Sequence, residues 1–194
     1  MRELDLIEQL RYSIEHDFIG FALHFQPQVD ANTKQIVGAE ALARWKSDIY
    51  GNVPPLIFIP LLEKSGLINE AGKWIFQKAV RYCKEMTTIL PTFCVSINLS
   101  YIQLSDLQFF AFMKQVLKEE MIDPSHIIVE MTESYMVKND DMQQTLFHKI
   151  RALGIRIAMD DFGTGFSSLG VLKKAPADIV KIDKVFMKDV LTSN

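Results

Sequence analysis

The sequence predicts an α/β protein in which parallel strands and helices alternate to form a barrel. Apolar, β-prone runs alternate along the chain with stretches of helical periodicity, the pattern of a parallel sheet with right-handed crossovers. In five of the six extended runs a single polar residue recurs at the same parity near the C-terminal end, where barrel enzymes place their sites. The first two extended runs are joined by a short connection, which makes the first strand antiparallel to the second.

Leu4, Ile7, Leu10 and Ile14 recur at helical spacing, so a lead-in helix is expected over roughly residues 3–17. Leu23 to Val29 reads as a strand, closed by the turn residues Asp30-Ala31-Asn32-Thr33, and Ile36 to Trp45 reads as its hairpin partner. Residues 47–60, with Gly51, Pro54 and Pro55, read as a loop leading into Leu56-Ile57-Phe58-Ile59. A helix over about 69–88 then precedes the strand Phe93–Leu99, and a helix over about 105–120 precedes the strand Ile127–Met131. A third helix, about 140–153, leads through Gly154 into a strand ending at Asp160-Asp161. A short helix over about 166–174 and the strand Ile179–Ile182 close the pattern. The whole reads as one domain: residues 1–20 as lead-in and 21–194 as barrel.

Composition narrows the function classes. A net charge of −3 over 194 residues, without a dense Lys/Arg stripe, gives no footprint for a nucleic-acid polymer. Cys83 and Cys94 lie far from CxxC spacing, as expected of thiols in a reducing cytosol rather than a disulfide or zinc framework. The longest apolar run, Pro54 to Leu62, is too short to span a bilayer, and the expected location is cytoplasmic.

The polar residues in the strands are Glu40, Asn98, Glu130, Asp160 and Lys181. Alternation puts them on one face, while Val95, Ile97, Ile127 and Val129 point the other way, towards the helices. Each alone reads more readily as a satisfied buried polar group. Five at matching depth read as a site, because clustered buried anions are costly unless a cation sits among them. Asp160-Asp161 followed by Gly163-Thr164-Gly165 reads either as a metal-binding loop or as a turn in which the carboxylates cap their own backbone. Carboxylate and amide oxygens without His or Cys are hard ligands suited to Mg²⁺ or Mn²⁺, which favours phosphate chemistry. Arg44 shares the parity of Glu40, four residues on, and reads equally as a phosphate contact at the rim or as a surface arginine.

EALARW at 40–45, NLS at 98–100, EMTES at 130–134, DDFGTGFSSL at 160–169 and KID at 181–183 follow one another as in the EAL family, which this chain resembles from about Leu23 to its C-terminus. The resemblance implies a TIM-like (β/α) barrel and a bacterial signalling enzyme, a metal-dependent phosphodiesterase that opens cyclic di-GMP to linear pGpG. It implies Glu40, Asn98, Glu130 and Asp160 as ligands of a two-metal Mg²⁺ or Mn²⁺ site, with Asp161 serving the second ion and Glu40, Asp160 and Lys181 as catalytic residues. Lys181 would position the attacking water. Gln26, Leu42, Arg44 and Asp183 fall on positions that contact substrate, and Glu133 on the glutamate that tethers the loop 162–169. A homodimer through residues 162–175, and sensor or cyclase domains in a longer parent, are also implied.

The family barrel has eight strands, and residues 1–194 hold six of the expected ones. The family's AEGVE motif, which carries its general base, has no counterpart in this sequence. Expected activity of this chain is therefore impaired, and a non-catalytic cyclic di-GMP receptor or a protein-interaction module are the competing expectations.

Overall fold

The computed structural model describes residues 2–136, 141–163 and 177–186. Among them the chain forms α1 (Glu3–Glu15), β1 (Phe21–Val29), β2 (Ile36–Ser47), β3 (Gly51–Val53), α2 (Pro55–Ser65), α3 (Ile68–Thr87) and β4 (Cys94–Asn98). There follow α4 (Tyr101–Ser105), α5 (Leu107–Glu120), β5 (Ile127–Thr132), α6 (Glu133–Met136), α7 (Asp141–Ala152), β6 (Arg156–Phe162) and β7 (Ile179–Ile182). The strands form one sheet in the order β1-β2-β4-β5-β6-β7, with β3 paired to β2.

The pairing explains the order. β1 runs antiparallel to β2, with Gln26 opposite Glu40 and Ala22 opposite Arg44. From β2 onward the neighbours β4, β5, β6 and β7 are parallel, and β4, β5 and β6 are each joined to the previous strand of this order through a helical crossover. The sheet face turned towards the helices carries Val95, Ile97, Ile127, Val129, Ile157 and Met159, which pack with Phe76, Phe109, Met113 and Phe147 into the main core. Burial of this apolar surface is the principal force holding the helices on the sheet.

A second core lies around α1 and α2. Leu6 and Leu10 of α1 meet Trp45, Val53, Phe58, Leu61, Leu62 and Ile68. Trp45 is 2% exposed, and its indole N–H donates to Ser13 Oγ at 3.1 Å, so the lead-in helix is fastened to the end of β2. The turn from α1 into β1 requires a glycine: Gly20 has φ 81°, and a Cβ there would lie 2.3 Å from the Lys46 carbonyl oxygen.

Three expectations are corrected. Residues 47–60 do not form one loop, because Gly51–Val53 pairs with the end of β2 and Pro55–Ser65 is helical. Pro55 at the first position has no N–H to leave unsatisfied, and Phe58, Leu61 and Leu62 make one buried face. Pro60 and Leu56 are exposed, so the carbonyl that Pro60 leaves without a donor is on the solvent side. The helix expected over about 105–120 is present as Leu107–Glu120, but a short helix not expected, Tyr101–Ser105, precedes it, and Asp106 between them is extended (φ −85°, ψ 114°) and caps α5 by accepting from Gln108 N. Finally, β1 and β2 each run two residues beyond the expected bounds, from Phe21 and to Ser47. The helix expected at 166–174 lies outside the described residues.

Candidate functional site

The expected polar residues converge at the C-terminal ends of the parallel strands. In β2, β4, β5 and β6 the inward parity puts Glu40 beside Ser96, Asn98 beside Glu130, and Glu130 beside Ala158. The small residues Ser96 and Ala158 leave room for the larger polar ones. Below them Gln28 Nε2 approaches Ser96 Oγ at 3.5 Å.

Lys181 organises the cluster. Its Nζ lies 3.0 Å from Glu40 Oε2, 2.5 Å from Glu130 Oε2 and 3.2 Å from Asp160 Oδ2, and Asn98 Nδ2 donates to Glu40 Oε1 at 2.9 Å. The cation that a buried acidic cluster demands is thus supplied by the fold itself. Burial alone would lower the lysine's pKa, but hydrogen bonding and charge pairing with Glu130 and Glu40 outweigh it and raise the value, so the ammonium stays protonated at neutral pH. The Glu130 side chain is fully enclosed, and burial pushes its carboxyl above the usual range even with Lys181 against it; Glu40 and Asp160 push the same way.

Carboxylate oxygens of Glu40, Glu130 and Asp160 come within 4.8 Å of one another. Glu130 Oε1 is buried and makes no hydrogen bond. An acceptor-only group left without a donor in a ring of carboxylates fits a hard divalent cation, the ligand type and site shape agreeing.

The Asp pair makes the backbone-capping contact of its turn reading. Asp160 Oδ1 accepts from the Asp161 backbone N–H at 3.0 Å, as a capping aspartate does, while Oδ2 faces Lys181. Asp161 has φ 55°, within the irregularity that interrupts the β6–β7 register between Met159 and Phe162. Its carboxyl is pushed up by burial, then by the charges of Asp160 and Asp183, and it shares a hydrogen bond with Asp183. Asp183 also accepts from Val185 N at 2.7 Å. Asp161 is therefore adjacent to the Lys181 cluster without being part of the close carboxylate trio.

Glu133, 2% exposed, accepts from the Gly163 backbone N–H at 3.0 Å, joining the start of α6 to the turn after β6. Residues 164–176, and with them most of the 162–175 segment, lie outside the described residues. Gln26, Leu42 and Arg44 share the site face of the β1–β2 hairpin, and Arg44 Nη1 donates to the Ala43 carbonyl at 2.9 Å. His24 and Lys46, which the sequence reading did not single out, lie on that same face. The parity that marked Arg44 marks both of them, since His24 is opposite Leu42 and Lys46 is two residues past Arg44.

Comparison with known proteins places the chain in a family. The EAL domain family matches residues 7–194. Cyclic di-GMP phosphodiesterase PdeR of Escherichia coli is 37% identical over 181 residues, covering 93% of this chain and 27% of that protein. Bifunctional diguanylate cyclase/cyclic di-GMP phosphodiesterase MucR of Pseudomonas aeruginosa is 35% identical over 192 residues, covering 97% of this chain and 27% of that protein. The chain thus spans about a quarter of the length of these curated relatives. Among solved structures, the MucR phosphodiesterase in complex with cyclic di-GMP superposes with a TM-score of 0.84 at 34% identity, covering 97% of this chain and 76% of that one. The EAL enzyme Bd1971, bound to cAMP and cyclic di-GMP, gives 0.86 at 30% identity, covering 98% and 52%. The chain belongs to the EAL domain family, whose fold is a TIM-like barrel and whose named members here include cyclic di-GMP phosphodiesterases.

Proposed function

We propose that the cluster at the strand ends serves the metal-dependent hydrolysis of one phosphodiester bond of cyclic di-GMP, giving linear pGpG. The observation that carries this reading is the trio Glu40, Glu130 and Asp160 with its oxygens within 4.8 Å, together with the buried, donor-free Glu130 Oε1. Glu40, Asn98, Glu130 and Asp160 would hold Mg²⁺ or Mn²⁺, with Asp161 offered to a second ion. When bound, such ions supply charge stabilisation to a phosphoryl oxygen and activate water.

The chain's own residues account for the rest. Lys181, protonated, is a donor and not a base, so it orients a water or a phosphate oxygen at its Nζ. In the net reaction the water oxygen bonds to phosphorus as one P–O ester bond breaks, and the proton that the water loses ends on the leaving oxygen. Gln26, Leu42 and Arg44, on the hairpin face that continues from Glu40, and Asp183 beside Asp161, form the substrate-contacting surface. The Glu133–Gly163 hydrogen bond holds the turn after β6 in register with the site. A homodimer through residues 162–175, sensor or cyclase domains in a longer parent, and a cytoplasmic location complete the proposal.

Incubation of residues 1–194 with cyclic di-GMP and Mg²⁺ or Mn²⁺, following binding and pGpG together, tests it. Binding accompanied by impaired turnover that Glu40→Ala abolishes is the expected result. Tight binding without product would instead make this chain a receptor for the dinucleotide.

A further inference from the structure

The site face of the β1–β2 hairpin changes sign along its length. Glu40 stands in the acidic cluster, Leu42 follows, and then Arg44 and Lys46 point to the same side, with Ala22 and Asn52 opposite them on the neighbouring strands. Beside Arg44 and Lys46 is a cavity of about 590 Å³ whose titratable lining residues are His24, Arg44 and Lys46, with no acid among them. Among the described residues neither Arg44 nor Lys46 forms an ion pair. Pro54, Pro55, Phe21 and Val53 give the cavity apolar walls, and the positive end of the α2 dipole begins at Pro55.

Distance decides what such a cavity takes. At roughly 3.3 Å per residue, Arg44 is about 13 Å and Lys46 about 20 Å along the strand from Glu40. A phosphate reacting at the carboxylate cluster cannot also lie at Lys46. The far end of the same dinucleotide is a flat purine with an acceptor edge. Guanine presents O6 and N7 as paired acceptors, which Arg and Lys recognise. Apolar walls with donors at one end match that shape and edge. The cavity next to Asn98 has two carboxylates, Glu63 and Glu130, and no basic residue in its lining, which disfavours an acceptor edge.

We propose that Lys46 reads the O6/N7 edge of a guanine base of the bound dinucleotide in this cavity, and so helps set base specificity. The proposal rests on the reading of cyclic di-GMP as the ligand and of Arg44 as a contact to it. Lys46 is exposed and its side chain packs in neither core, so its replacement leaves the fold intact.

The test is equilibrium binding, with Ca²⁺ as the hard divalent cation, of cyclic di-GMP and of its 7-deazaguanine analogue, which keeps both phosphates and loses N7. The native chain is expected to bind the analogue about ten-fold more weakly, within the range of a good base contact. Lys46→Ala is expected to weaken cyclic di-GMP binding by a similar factor and to bind the two ligands equally, and Lys46→Arg to restore the preference. Equal weakening of both ligands by Lys46→Ala would make the contact one to phosphate and overturn the proposal, as would no change. If Arg44→Ala weakens binding while Lys46→Ala does not, only the Lys46 assignment falls. If the native chain binds no cyclic di-GMP, the functional reading falls with it.

Discussion

Replacing Lys181 by methionine removes the cation on which three carboxylates converge while keeping much of the side chain's length. Its Nζ is within 3.2 Å of Glu40, Glu130 and Asp160, and Glu130 has no solvent exposure through which to recover hydration. Removing one partner of a buried ion pair costs about 3–5 kcal/mol; with Glu40 and Asp160 about one-fifth exposed, the low end, about 3 kcal/mol, applies. For a chain of this size each kcal/mol moves the melting midpoint by about 2–4 °C, so Lys181→Met should melt roughly 6–12 °C below the native chain in metal-free buffer. Mn²⁺ at about a hundred times its Kd contributes about 2.7 kcal/mol and should return most of that loss, because the ion replaces the missing charge. Lys181→Met combined with Glu130→Gln should be more stable than Lys181→Met alone without metal, since one of the repelling charges is gone. Differential scanning calorimetry with EDTA and with Mn²⁺ measures all of this. An unchanged midpoint in Lys181→Met, or a loss that Mn²⁺ leaves untouched, would refute the reasoning that lysine and metal answer the same electrostatic demand.

Three further outcomes follow from the structure. Burial pushes the Cys83 thiol from an ordinary value of 9.0 up to about 12, so between those values the folded chain keeps a proton that the unfolded chain loses. Stability from this group is present below pH 9 and falls as pH rises, by at most about 1.4 kcal/mol per pH unit, and denaturant titration of Cys83→Ala should show that slope removed. Ser13→Ala leaves the buried Trp45 indole N–H without its acceptor and should cost about 1–3 kcal/mol in urea unfolding, whereas an unchanged midpoint would mean α1 is held by its apolar contacts alone. Glu133→Ala removes the acceptor of the Gly163 N–H, so amide exchange at Gly163 should speed up while the interior strand β5 keeps its protection.

How much of this was legible in the sequence depended on which physical rule each residue obeys. Period-two alternation is strict, so one polar residue per strand located Glu40, Asn98, Glu130, Asp160 and Lys181 on a common face before any pairing was known. The need for a positive charge among the carboxylates was also legible, but not that Lys181 would touch three of them at once, because that requires the distance between β2 and β7, strands far apart in sequence. α2 was missed because Pro54, Pro55 and Pro60 are loop signals by composition, and only the buried face of Phe58, Leu61 and Leu62 shows that proline at the start and on the exposed side is compatible with a helix. The short helix Tyr101–Ser105 was missed because five residues are too few to show a helical period. Lys46 had the right parity but lay beyond the expected end of its strand, so the basic cavity came from the structure.

The most direct measurement of the central claim is cyclic di-GMP binding to residues 1–194 by isothermal titration calorimetry, with and without Mn²⁺, for the native chain and for Glu130→Gln. The expected result is binding that requires the cation in the native chain and is lost in Glu130→Gln, whose buried oxygen would otherwise complete the metal's ligand set. Binding that is equally tight in EDTA, or that Glu130→Gln leaves unchanged, would contradict it.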